Sequence, residues 1–433
     1  MRIEFLAVRD FPPFAEGVME FPAKPEGGAL AEIQLITGEN GTGKTRLLSL
    51  LAAALGNPVE LQSRLGGDTK ALGVVGGVTT KHPTAWFTHQ EDALIFRNMP
   101  RPSPEKLLQL GSETPAAARG FLLQNDSGDP ICAMAFRGSA SVSDAKVVAL
   151  KPVTIGERKN LLLFQHDPME DTTLGQSMVN LKIVAAMDAL QNQARNETRA
   201  MRICARLESV VSKVTGRTFD FWVSPYPDIS LRVNWGNARN MYLKQCPDGL
   251  RSIIGWLVAC VARLDALFPE HEDPLSLPLV LLLDEPEGHL HPAWQRKLLP
   301  AAQALFPNGQ FFVATHSPFV ISSVNEGWIH ILRFDDSGAV RFEPPRPCGK
   351  GDSYMEVIED VLGVKEWYDP ESETLLKDFR ELKESVLNGK WEREADLREM
   401  ARDIAARSES LRDLVGGELR QFERMKNKAA VAA

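Results

Sequence analysis

The stretch Gly38-Glu39-Asn40-Gly41-Thr42-Gly43-Lys44-Thr45 decides how this chain folds. It fits G-x-x-x-x-G-K-[ST], a pattern that short sequences also meet by chance, so its surroundings carry the weight. The apolar run 32–37 before it reads as a buried strand. The run 44–55 after it reads as a helix, stopped by Gly56-Asn57-Pro58. Strand, glycine turn and helix together form a phosphate cradle. The glycines let successive backbone N–H groups turn inward, and the helix N-terminus adds its positive dipole end. In this arrangement Lys44 reaches the β- and γ-phosphates of a nucleotide and the Thr45 hydroxyl ligates Mg2+. The contrary reading is a glycine-rich turn with a solvated lysine.

Two further strands end in polar clusters. Leu281-Leu282-Leu283-Asp284-Glu285-Pro286 is a continuous apolar strand closing on two carboxylates. Its C-terminal end faces the ligand crevice of an open α/β sheet. There Asp284 can hold the metal shell through water and Glu285 can act as general base on the attacking water. Phe311-Phe312-Val313-Ala314-Thr315-His316-Ser317-Pro318 repeats the design, with His316 placed to sense the γ-phosphate. His289 and His291 flank Leu290, but a lone H-x-H is weak metal chemistry. Pro292 instead favours a turn and helix start.

Composition sets outer bounds. The 433 residues are 44 % hydrophobic and 24 % charged, with a net charge of −8. These are globular values, and they exclude a disordered chain. A sequence pI near 5.6 argues against indiscriminate coating of nucleic acid. Five scattered cysteines, with no C-x-x-C pair, suggest neither a disulfide framework nor a zinc site. The longest apolar stretch, 253–261, is too short to span a bilayer, so a cytoplasmic protein with no membrane contact is expected.

Taken in order, G-x-N-G-x-G-K-T, L-L-L-D-E-P-E-x-H-L-H-P and A-T-H-S-P resemble the ABC-type ATPases of the RecF, SMC and OLD group. More narrowly they resemble the compact ATPases of Septu systems and of retron-associated operons. The opening strand 2–8 leading to Phe11 and Phe14 is similar too. The resemblance implies an α/β fold: an ABC-type P-loop NTPase head with a mixed sheet, a helical insertion and a helical C-terminal appendix. The 240 residues between Lys44 and Asp284 suit such an insertion and are too many for a minimal transporter cassette. The expected division is a first head part at 1–58, an irregular or antiparallel elaboration at 59–173 and a helical insertion at 174–217. The second head part follows at 218–345, then helices at 346–428 and a disordered tail at 429–433.

The resemblance also implies ATP and Mg2+ as cofactors, and two heads paired around nucleotide. The cradle would be Gly38, Asn40, Gly41, Thr42, Gly43, Lys44 and Thr45. Each head would offer the other a signature loop. The match is Cys246-Pro247-Asp248-Gly249-Leu250-Arg251-Ser252, with Gly249 as the backbone donor. Pro247 replaces the family's serine and supplies neither hydroxyl nor N–H, which implies slow turnover. The glutamine that links head and insertion is assigned to Gln165, with Gln90 as the alternative. OLD-type proteins carry a nuclease domain after the head. The 117 residues after His316 read instead as charged helices without a strand-terminal acidic trio. A separate partner is therefore implied: an HNH-type nuclease, or a reverse transcriptase with its RNA–DNA product, in antiphage defence.

One feature favours the alternative, a RecF-like repair ATPase acting on DNA. Arg195, Arg199, Arg202, Arg206 and Lys213 fall within an arc of about 60° on a helical wheel. A stripe of unopposed positive charge suits phosphate contacts, and equally a solvated basic face.

Overall fold

The computed structural model describes residues 2–23, 32–55, 72–78, 83–87, 94–95, 103–113, 132–137, 146–147, 168–191, 197–226, 229–349, 351 and 353–432. The chain forms two compact units, Met1–Leu362 and Gly363–Ala433.

In the first unit the strands are β1 (Arg2–Arg9), β2 (Gly17–Glu20), β3 (Glu32–Gly38), β4 (Leu72–Val78), β5 (Pro83–Phe87), β6 (Leu94–Ile95), β7 (Cys132–Arg137) and β8 (Lys146–Val147). They continue with β9 (Phe219–Ser224), β10 (Ile229–Trp235), β11 (Ala238–Tyr242), β12 (Leu279–Asp284), β13 (Gly309–Ala314), β14 (Trp328–Phe334), β15 (Val340–Phe342) and β16 (Arg346–Pro347). The longer helices are α1 (Lys44–Ala54), α2 (Pro104–Glu113), α3 (Pro168–Gln191), α4 (Arg199–Thr215), α5 (Asp248–Leu267) and α6 (Pro292–Leu305).

The central sheet runs β15-β14-β3-β13-β12-β7, with β16 also on β14. The five strands from β14 to β7 are parallel, and β15 and β16 are antiparallel additions. The mixed sheet and the flanking helices are the α/β head expected from the motifs. Parallel strands are buried on both faces, which is why β12 reads as a continuous apolar run up to Asp284. Val280, Leu282, Phe312 and Ala314 pack on the side of α1 and β1. Leu279, Leu281, Leu283, Phe311 and Val313 pack on the opposite side, with α4, α5 and α6. A five-stranded antiparallel sheet, β2-β1-β4-β5-β6, and a smaller one built on β10 complete the unit.

The long helical stretch is a pair, α3 and α4. Thr198 caps α4, its hydroxyl accepting from Met201 N, and Gly216 closes it at φ 69°. Ile203, Leu207, Val210 and Val214 bury α4 in the core of the head. Strand β7 was not foreseen. The reading of 59–173 as irregular or antiparallel missed that Cys132–Arg137 joins the parallel sheet beside β12.

His330 on β14 is buried between β3 and Phe21. Its Nε2 donates to Gln34 Oε1 at 2.8 Å, and Nδ1 has no partner. Burial pushes its pKa down to about 3. The unfolded imidazole titrates near ~6.5, so between about pH 6.5 and 3 only the unfolded chain takes up this proton. Stability should therefore fall as pH drops through that window. Between pH 7 and pH 5, denaturant midpoints should show a loss about 2 kcal/mol smaller in His330→Gln than in the parent. Coincident losses would assign the pH dependence elsewhere.

The second unit packs three helices, α7 (Pro370–Leu387), α8 (Glu394–Arg407) and α9 (Glu409–Ala432), on a core of their own. Phe379, Leu382 and Val386 are buried within it and Leu375 packs at its edge, so this apolar face serves internal packing. Helix α9 runs to Ala432, so residues 429–432 are helical rather than the disordered tail read from their composition. Among the described residues no helix is long and apolar enough to cross a membrane.

Candidate functional site

The order β3-β13-β12 sets the three polar-tipped strands side by side, all pointing the same way. Their C-terminal ends therefore share one edge of the sheet. Parallel pairing places Asp284 opposite Ala314 and Ala314 opposite Ile36, so the acidic pair, the histidine turn and the phosphate loop start at one level.

The loop after β3 is shaped by its glycines. Gly38, Gly41 and Gly43 have φ of 150°, 87° and 89°, values that side chains resist. A Cβ on Gly43 would also lie 2.9 Å from the Phe14 ring. Phe11 and Phe14 thus matter as packing for the cradle. Thr42 is fully buried, and its hydroxyl donates to Glu39 O at 2.8 Å. Asn40 sits in the exposed crest of the loop. Lys44 Nζ donates to Gly38 O and Glu39 O, both at 3.0 Å. Burial lowers its pKa, against the pull of Glu285 and Asp284.

Thr45 Oγ1 donates to Asp284 Oδ1 at 2.9 Å. Two hard oxygen donors side by side suit Mg2+, which takes one or two protein oxygens and fills its octahedron with water and phosphate. The residues fit that ion.

Glu285 occupies the left-handed region, at φ 48°. This is a strained backbone for a non-glycine residue, held by its N–H donating to Ala314 O at 2.9 Å. Its Oε1 lies 3.8 Å from His316 Nε2. Burial, and then Lys44, lower the His316 pKa, while Glu285 opposes them. A mostly neutral ring beside a carboxylate can orient a water for that carboxylate to deprotonate.

Two residues of the site were not singled out from the sequence. Glu287 is buried, and Thr315 Oγ1 donates to its Oε1 while Ser317 N donates to Thr315 Oγ1 at 2.9 Å. This chain ties the carboxylate turn to the histidine turn. Burial pushes the Glu287 carboxyl up to about 7, although the Thr315 bond opposes it. The other is Arg137 at the end of β7, whose Nε lies 3.5 Å from Asp284 Oδ2. Glu287 could have been suspected as the third carboxylate of D-E-P-E, and Arg137 as the polar end of the apolar run 131–136.

Other expected residues fare differently. Gln165 and Gln90 lie outside the described residues. Gly249, at the start of α5, packs against the carboxylate turn, where a Cβ would lie 2.9 Å from His289 O. This internal contact already requires glycine. His291 caps α6, its Nδ1 accepting from Ala293 N at 3.2 Å, as the turn-and-helix reading of that stretch held.

The arginine stripe is a correction. Arg195 lies outside the described residues. Arg199 donates to Asp265 at 2.5 Å, to His271 O at 2.7 Å and to Phe268 O at 3.1 Å. Arg202 donates to Glu197 O and Glu272 O. Arg206 donates to both oxygens of Asp273 and to Leu305 O at 2.6 Å. The helical wheel showed no opposing charge because the acidic partners, Asp265 and Asp273, lie beyond the helix. Arg199, Arg202 and Arg206 tie α4 to the segment 265–273, and the charges of Arg199 and Arg206 are paired there with Asp265 and Asp273. Arg206→Ala should cost about 1–3 kcal/mol of stability and leave ATP affinity unchanged. Thermal unfolding and nucleotide titration would check this, and an unshifted melting temperature would contradict the clamp.

Comparison with known proteins finds relatives among retron-associated and Septu proteins. The "Retron Ec83 probable ATPase" of Escherichia coli is 28 % identical over 155 residues, covering 36 % of this chain and 27 % of that protein. The "Retron Vc95 probable ATPase" of Vibrio cholerae serotype O1 biovar El Tor is 32 % identical over 144 residues, covering 32 % and 27 %. "Septu protein PtuA" of Bacillus thuringiensis is 32 % identical over 94 residues, covering 21 % and 24 %. The matches thus span about a quarter of each relative's length. A solved SMC head bound to the C-winged helix domain of ScpA aligns at TM-score 0.41 and 13 % identity, over 80 % of this chain and 98 % of that one. The resemblance to retron-associated and Septu ATPases read from the motifs is met by these relatives. A family model matches residues 34–322, more than half of the chain and the whole span from the phosphate-loop strand to the helix after the histidine, and the chain belongs to that family: "AAA domain, putative AbiEii toxin, Type IV TA system".

Proposed function

We propose that the chain is an ATPase that binds ATP with Mg2+, hydrolyses it slowly, pairs through its heads around nucleotide and controls a separate effector in antiphage defence. The observation that carries the reading is the shared edge of β3, β13 and β12. There Thr45 meets Asp284 at 2.9 Å and His316 faces Glu285 at 3.8 Å. Glycine N–H groups and Lys44 would hold the phosphates. His316 would orient the attacking water, and Glu285 would accept its proton. Mg2+, when bound by Thr45 and Asp284, would neutralise charge on the phosphate oxygens.

Slow turnover rests on Pro247, which caps α5 without a hydroxyl or an N–H. The defence setting rests on the retron and Septu relatives. Following that resemblance, the effector is a separate HNH-type nuclease, or a reverse transcriptase carrying RNA–DNA. Direct action on DNA loses the support of the stripe, whose described arginines are bonded internally. The buried cysteine thiols, none in a disulfide, are consistent with the cytoplasm.

Purified protein should release phosphate from ATP in the presence of Mg2+ and double its sedimenting mass with ATP. Absence of phosphate release would end the ATPase reading, and an unchanged mass would end the pairing.

A further inference from the structure

Strand β7 pairs with β12 in parallel register, and its last residue, Arg137, stands directly opposite Asp284. Paired residues on neighbouring strands project to the same side of the sheet, and the guanidinium reaches the carboxylate, Nε to Oδ2 at 3.5 Å. The other oxygen, Oδ1, accepts from Thr45. Asp284 is almost wholly buried while Arg137 is half exposed. A buried carboxylate needs a countercharge. Here the half-exposed Arg137 adds to the charge of the Lys44 ammonium.

We infer that Arg137 is a resident cation that holds Asp284 before ligand arrives, so that the site admits a divalent ion only together with nucleotide. The inference rests on Asp284 being the metal residue proposed above. A cation beside the carboxylate repels a second one, and the repulsion is strong where water is partly excluded. The negative phosphates of ATP supply what the ion alone lacks. They also offer the displaced guanidinium a bidentate partner. Arg137 is therefore a positioning residue that sets the order of binding.

The test titrates Mn2+ by electron paramagnetic resonance against the full chain, with and without a non-hydrolysable ATP analogue. Without nucleotide, Arg137→Ala and Arg137→Gln should bind Mn2+ about tenfold more tightly than wild type, and Arg137→Lys should behave as wild type. With the analogue the difference should shrink. Nucleotide-free affinities equal to wild type in both neutral variants would overturn the inference, provided Asp284→Asn abolishes Mn2+ binding with the analogue. If Asp284→Asn binds Mn2+ as wild type does, the reading of Asp284 fails first and takes the inference with it.

Discussion

Lys44→Ala should lower ATP affinity by about 30-fold or more. The ammonium group lies inside the loop, donating to Gly38 O and Glu39 O. Removing one charged partner of a largely desolvated phosphate contact costs about 2–5 kcal/mol, which is roughly one and a half to three and a half decades in Kd. Stability should not follow. Burial already works against the charged amine, and alanine suits the first turn of α1. A fluorescent-nucleotide titration beside a melting curve separates the two effects. Wild-type affinity in a folded variant would mean that the phosphates are held elsewhere.

Glu285→Gln should reduce the turnover number by about 10²–10⁴, the span typical of losing a general base, with little change in ATP affinity. Glutamine keeps the size of the side chain and the backbone bond to Ala314 O, so the left-handed turn at φ 48° is preserved. It has no basic oxygen to take the proton of the water. A head that binds but cannot cleave should accumulate as the ATP-bound pair, visible as a doubled mass that persists after excess nucleotide is removed. Turnover at the wild-type rate would show that another group acts as the base. His316→Ala offers a contrast. It removes the group that faces Glu285 and leaves the carboxylate in place, so its loss should be partial.

The site's architecture explains why these positions were legible in the sequence. A phosphate cradle, a strand ending in carboxylates and a strand ending in histidine are each local. Each depends on a run of apolar residues followed by a few residues of fixed chemistry. Strand pairing then brings the three ends together, because parallel strands in one sheet end on the same side. The α6 start at His291 and Pro292 was local in the same sense. The phosphate loop also shows where local reading stops. Gly43 is needed for its φ of 89°, and in addition because Phe14 lies against it. Only the second reason ties it to residues far back in the chain.

What the sequence by itself determined was the α/β class, the three strand-end motifs and their order, since apolar periodicity and turn chemistry act within a few residues of the backbone. Tertiary structure alone decided the rest. It placed β7 in the central sheet and Arg137 against Asp284, positions far apart in the chain and joined only by register. It buried Glu287 on Thr315, which moves a plain carboxylate toward neutrality. It turned the arginines of α4 from an open charged stripe into a clamp on 265–273. The physical reason is common to all three. The effect of a charge depends on its partner and its burial, and both are set by contacts that a one-dimensional pattern does not contain.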